Sequence, residues 1–111
     1  MAMIESLVGN HTAEKVLLYI ANYNEGHTSG IAQTFDLPKS QVRNQIIKLE
    51  AGGVLVGRSI GNIRMFQINP RCPYKKELEA LLEKVLSLVS EKDREKYYRQ
   101  RRRPRRTGKD L

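Results

Sequence analysis

Apolar residues recur along this chain at two spacings, and the change from one spacing to the other marks out the elements. Ala13, Val16, Leu17 and Ile20 fall at i, i+3, i+4 and i+7, the one-sided stripe of an amphipathic helix. The spacing predicts a helix over 12–23, with Thr12 as its N-cap and Glu14 set against the positive end of the helix dipole. Asn22 to Gly26 is a turn-rich exit. Upstream, a short turn or helix over 2–9 is expected to face Ile4, Leu7 and Val8 inward. A short helix over 29–35, capped by Thr28, turns Ile31, Ala32 and Phe35 to the core. Gly30 weakens it by about 1 kcal/mol relative to Ala. A third helix over 39–51 buries Val42, Ile46 and Leu49 and turns Lys39, Ser40, Gln41, Arg43, Asn44 and Lys48 outward. Gly52-Gly53 supplies its left-handed exit.

Beyond Gly53 the helical period stops. Val54–Arg58 and Ile63–Ile68 read as paired strands joined by Ser59-Ile60-Gly61-Asn62, where Gly61 and Asn62 tolerate positive φ. Two strands are marginal alone, so this hairpin must lean on the helices. Asn69-Pro70 and Pro73 interrupt the chain, and a helical period returns over 74–89. Leu78, Leu81, Leu82, Val85, Leu88 and Val89 make a wide stripe there, with Leu86 beside it. One part of that stripe can cover the domain. Leu78, Leu82, Val85, Leu86 and Val89 are the candidates for pairing with a second copy. Ser90 to Asp93 matches the S-x-x-D capping pattern, which predicts a break at Ser90 and a separate polar helix to about Arg99. There is no internal repeat.

Charge changes the picture at one end. The chain has 111 residues and a formal net charge of +8, the size of one small domain with extensions. Residues 1–98 hold 13 Lys/Arg against 11 Asp/Glu, a balance of +2, and residues 99–111 hold seven against one, a balance of +6. The stretch RRRPRRTGKDL over 101–111 reads as disordered when unbound and suited to a polyanion. Its Arg101, Arg102 and Arg103 can follow phosphates but carry no sequence code. Tyr97-Tyr98, just before it, can stack on bases or pack on the domain.

Candidate chemistry is sparse. Cys72 is the only cysteine, so no internal disulfide is possible. His11 and His27 lie near helix starts or loops, with no nucleophile beside them. No Cys or His cluster has metal spacing, and no glycine-rich loop has a phosphate-cradling pattern. No enzyme activity, metal or cofactor is expected. The start, MAMIESLVGN, lacks the basic and long apolar segments of a signal peptide. No apolar run approaches the roughly 20 residues of a membrane span. A cytoplasmic protein without membrane contact is expected.

The string IAQTFDLPKSQVRNQIIKLEAGGVL, residues 31–55, followed by the hairpin, resembles the winged helix-turn-helix transcriptional regulators, the broad group with the ArsR-like and MarR-like proteins. The resemblance covers about residues 11–69. Ala32 holds the family's small residue where two helices cross, Leu37 its hydrophobic turn residue, and Val42, Ile46, Leu49-Glu50 and Gly53 the positions after it. Two positions depart. Asp36 stands where the turn usually has Gly, and it tolerates a left-handed conformation. Pro38 stands where a Ser or Thr cap is common, and proline suits a first helical turn.

The resemblance implies a mostly α fold with a small β-hairpin wing (α+β), a winged helix-turn-helix with an additional C-terminal helix. It divides the chain into a DNA-binding domain (1–70), a helical extension (71–98) for dimerisation, and a basic tail (99–111). It implies a nucleoid-associated homodimer that binds duplex DNA sequence-specifically and represses transcription. Helix 39–51 would enter the major groove, with Lys39, Ser40, Gln41, Arg43 and Asn44 reaching the DNA, Arg43 to guanine and Asn44 or Gln41 to adenine, and Lys48 on phosphate. Arg58 and Arg64 of the wing, with Asn62 at its tip, would touch the flanking phosphates or the minor groove. Two other partners fit the same residues: a protein docked on a winged helix, or an RNA held by the Arg-rich tail.

Overall fold

Asn10 opens the most deeply buried helix, and Thr12 does not. In the computed structural model, which describes residues 3–99, the Asn10 side-chain oxygen accepts from the Ala13 N–H at 2.8 Å and caps α2, His11–Tyr23. Thr12 lies inside the first turn and is buried. Glu14 lies in the first turn of α2, at the positive end of its dipole as expected, and is also buried. Its carboxylate accepts from the Met3 N–H at 3.0 Å and the Ile4 N–H at 3.3 Å. This holds the segment around α1, Glu5–Val8, against α2. Ile4 is buried and Val8 packs on the core, whereas Leu7 faces solvent.

α2 is the centre of the fold. Val16, Leu17, Leu18, Tyr19 and Ile20 are all buried, because other elements cover it on several sides. α3, Thr28–Phe35, starts one residue earlier than expected, with His27 rather than Thr28 in the N-cap position and Thr28 inside the helix. Asp36 ends it in the left-handed conformation at φ 56°, as the sequence anticipates. α4, Lys39–Ala51, has the expected bounds. Pro38 precedes it, and the Pro38 carbonyl accepts from Gln41 and Val42. Only Gly53 is left-handed at its exit, with φ 82°, while Gly52 is not.

The hairpin is longer and its turn tighter than expected. β1, Leu55–Ile60, pairs antiparallel with β2, Ile63–Ile68, in a register running from Leu55↔Ile68 to Ile60↔Ile63. Ser59 and Ile60 belong to the strand, and Gly61-Asn62 alone make the turn. Gly61 has φ 60° and Asn62 has no positive φ, the order a type II′ turn requires. Leu55, Phe66 and Ile68 are buried on the inner face. Gly57 lies opposite Phe66, and a Cβ there would sit 2.7 Å from the Phe66 ring. A bridge between Gly26 and Phe66, N–H to O at 2.9 and 2.8 Å, ties β2 to the loop after α2.

α5, Lys75–Ser87, lies along α2. Leu82, Val85 and Leu86, expected to face a second copy, are buried in their own chain's core. Leu78, Leu81 and Val89 are half-buried against the same core, and Leu88 is exposed. After Ser90, whose hydroxyl accepts from the Asp93 N–H at 3.2 Å, the expected polar helix is a single turn, α6, Glu91–Asp93. It runs into a π-helical turn over Arg94–Tyr98. Tyr98 is buried and Tyr97 packs on Phe35, with ring centroids 5.2 Å apart. Asn22 donates to the Tyr98 carbonyl at 2.8 Å and the Tyr23 hydroxyl to the Tyr97 carbonyl at 2.7 Å. Packing therefore accounts for both tyrosines. Burial, with Glu14 nearby, pushes the Tyr98 hydroxyl well above the usual tyrosine pKa.

Cys72 is free and buried. Among the described residues no cluster of His, Cys, Asp or Glu could hold a metal. No helix there is long and apolar enough to cross a membrane. The expectations placed on 101–111, including those for Arg101, Arg102 and Arg103, lie outside the described residues.

Candidate nucleic-acid interface

The interface begins with the two faces of α4. Val42 and Ile46 are fully inside, and Leu49 packs partly on the same core. That burial fixes the helix's rotation. Lys39, Ser40, Gln41, Arg43, Asn44 and Lys48 are consequently all exposed. Among the described residues, Lys39, Arg43 and Lys48 have no carboxylate within ion-pair distance. The face has three unneutralised cations and three hydrogen-bonding side chains on one rigid element.

Ile47 belongs to this face and is missing from the expected set. It is 50 % exposed, four residues after Arg43 and three after Asn44, so it shares their side of the helix. The signal was present in the sequence. Ile46 and Ile47 are adjacent, and a stripe through Val42, Ile46 and Leu49 leaves Ile47 pointing out.

The wing is organised differently. Arg58 donates through Nη2 to Glu25 Oε1 at 2.7 Å and through Nη1 to Gln67 Oε1 at 3.0 Å. Arg64 donates to Glu50 Oε2 at 2.6 Å, and its guanidinium lies 5.5 Å from the Phe66 ring centroid. Both arginines expected on the DNA backbone thus have carboxylate partners in the chain. One pair fastens the wing to the loop after α2 and the other to the last turn of α4. Each pair is partly solvated and of the kind worth about 0–1 kcal/mol. Asn62 is exposed at the tip. The outer face of the hairpin also carries exposed Val56, Ile60 and Ile63. Arg99, where the basic stretch begins, bonds Glu91 at 2.8 Å and also Glu95.

No protein-family model and no curated protein matches the chain. Solved structures do. The chain is similar to the adhesin competence repressor AdcR from Streptococcus pyogenes, with a TM-score of 0.55 and 15 % identity over 78 % of this chain and 72 % of that one. It is similar to a mutant of Lactococcus lactis ZitR in apo form, with a TM-score of 0.54 and 15 % identity over 81 % and 75 % of the two chains. A second structure of that mutant gives 0.50 and 13 % over 86 % and 73 %. At such identity the likeness is one of backbone. It joins the α3–α4 pair and the β1–β2 hairpin as evidence for the same conclusion: the chain has the winged helix-turn-helix fold, mostly α with a small antiparallel wing.

Proposed function

We propose that this protein binds duplex DNA sequence-specifically and regulates transcription, with α4 as the recognition helix. One observation carries the reading. α4 is held by a fully buried apolar face, and its opposite face offers Lys39, Arg43 and Lys48 without acidic partners among the described residues. A cationic, rigid helix face of this kind meets the charge and width of the major groove. The backbone likeness to a protein named as a repressor supports the same reading.

The roles follow from chemistry. Arg43 would pair with guanine O6 and N7, and Gln41 or Asn44 with adenine N6 and N7. Ile47 would rest on a thymine methyl. Lys39, Ser40 and Lys48 would hold phosphates and set the register. Arg58 and Arg64 would reach phosphates only by exchanging Glu25 and Glu50. Arg101, Arg102 and Arg103 would add affinity without preference. A homodimer would set two recognition helices about 34 Å apart on an inverted repeat. Repression by occlusion of a promoter-proximal site would be its mode of action, and the nucleoid its place.

The test is selection from a random duplex pool at two salt concentrations, with sequencing of the retained DNA. An enriched inverted repeat, bound less tightly at higher salt, is the expected result. Retention without enrichment removes the sequence-specific reading. No retention at either salt removes DNA binding.

A further inference from the structure

We infer that the cavity enclosed by α2, the end of α5 and the turns over 90–98 binds a small primary amine as its ammonium ion, with the nitrogen between Glu14 and Tyr98 and the hydrocarbon on Leu18, Val85 and Val89. The site stands apart from the DNA-binding reading, and its test needs no DNA.

Tyr98 carries the argument. It is 6 % exposed, and its hydroxyl finds no hydrogen-bond partner among the described residues. A buried polar atom left unpaired is costly and uncommon. The backbone around it is anchored, since Asn22 donates to the Tyr98 carbonyl and the Tyr23 hydroxyl to the Tyr97 carbonyl, so the ring is held in place. The turn that presents it, Arg94–Tyr98, is π-helical, a form that occurs mostly as single turns and often at functional sites.

Tyr98 lines a cavity of about 110 Å³. Leu18, Val85 and Val89 give that cavity hydrocarbon walls, and Glu14, Lys15 and Asp93 give it charge, two carboxylates against one lysine. The Lys15 ammonium already lies over the Phe35 and Tyr97 rings, 5.4 and 5.7 Å from their centroids. Glu14 is fully buried, and its carboxylate accepts from the Met3 and Ile4 amides. Among the described residues no cation lies within ion-pair distance of it, although buried charges ordinarily pair. Burial, and after it the nearby Glu14 and Asp93 carboxylates, push the Tyr98 hydroxyl above the usual tyrosine pKa. It therefore stays protonated, and its oxygen lone pairs remain to accept a bond. These walls select the ligand. They repel an anion, and no cluster of His, Cys, Asp or Glu among the described residues could hold a metal. A neutral alcohol meets the hydroxyl but leaves the charge. An ammonium donates to Glu14 and to the Tyr98 oxygen together, while its hydrocarbon covers the apolar walls. An apolar cavity of about 150 Å³ holds benzene, so this one has room for an amine of about five non-hydrogen atoms.

The experiment titrates the full chain with isobutylammonium chloride at neutral pH and follows amide and methyl NMR shifts, with isobutanol and isobutyrate as controls of similar shape. Saturable shifts at Leu18, Val85 and Val89 are expected, with a Kd of about 1 mM or tighter, which so few atoms can reach. Isobutanol is expected to bind at least about tenfold more weakly, and isobutyrate not at all. Tyr98→Phe keeps the ring and removes the unpaired oxygen. Its melting temperature should not fall, and its affinity for the amine should drop about tenfold. Val89→Phe, which fills the cavity from its half-buried rim, should abolish the shifts at Leu18. The site is overturned if the amine does not saturate, if isobutanol binds as tightly, if isobutyrate binds more tightly, or if a folded Tyr98→Phe variant keeps the full affinity. It is overturned as well if the shifts map to the exposed carboxylates of α5, such as Glu77 and Glu83, or survive unchanged in Val89→Phe.

Discussion

The outward face of α4 and the wing treat their positive charges in opposite ways. Lys39, Arg43 and Lys48 stand exposed on a helix, without acidic partners among the described residues. Arg58 and Arg64 are held by Glu25 and Glu50. On α4 the charges are available to any polyanion that approaches. On the wing a phosphate must first displace a carboxylate, and the exchange gains little because both states are paired. An arginine on a wing is therefore not yet a phosphate ligand. Its nearest carboxylate decides. The wing's arginines act as braces, and its outer face also exposes Val56, Ile60 and Ile63.

The difference can be broken at several points, and the largest effect is structural. Ile46→Ala, on the buried face of α4, should lower unfolding stability by about 2–5 kcal/mol, measured by chemical denaturation. Ile47→Ala, one residue on, should change stability by less than about 0.5 kcal/mol and weaken binding only to sites with a thymine under it. Equal losses of stability would show that the rotation of α4 is misassigned.

Next in size is the contrast between arginines. Arg43→Ala should cost about 1–3 kcal/mol of duplex affinity and relax preference at one base position, read by fluorescence anisotropy against single-base variants of the site. Arg58→Ala and Arg64→Ala should each cost less than half as much and leave the preference unchanged. Should either wing variant match Arg43→Ala in both respects, the wing arginines are readers and the comparison fails.

The smallest effect sharpens the comparison most. Glu25→Gln and Glu50→Gln each free one wing arginine. Each should steepen the dependence of log affinity on log salt by about 1 and tighten binding at low salt, at a stability cost of no more than about 1 kcal/mol. An unchanged slope in both variants would mean that the arginines already leave their carboxylates when DNA binds.

Much of this was legible along the chain, and what was not has a common cause. α4 was readable to its ends because thirteen residues give a clear period between two strong punctuations, Pro38 and Gly52-Gly53. The left-handed Asp36 was readable because few residue types tolerate that turn. Helix caps slipped by two residues and by one, Asn10 for Thr12 and His27 for Thr28, because neighbouring polar residues compete for one cap and local rules do not rank them. The turn was drawn too long because Ile60 was assigned to it, whereas its pairing with Ile63 extends the strand.

The larger departures involve partners distant in sequence. The stripe on α5 was correct as a pattern. Whether Leu82, Val85 and Leu86 would meet α2 or a second copy is not written in periodicity, and in the fold they are buried in the core where α5 packs on α2. Glu14 stands at the dipole of α2 as its position implies, but the Met3 and Ile4 amides from which it also accepts lie ten residues or more away. Arg58 and Glu25 are 33 residues apart, and Arg64 and Glu50 are 14. Sequence by itself determined the main elements, their order, their apolar faces and the polar face of α4, because hydrophobic period and turn chemistry are local. Which face meets which neighbour, and which charges remain for a ligand, was decided only by tertiary structure, because burial and ion pairing depend on distances that the fold creates.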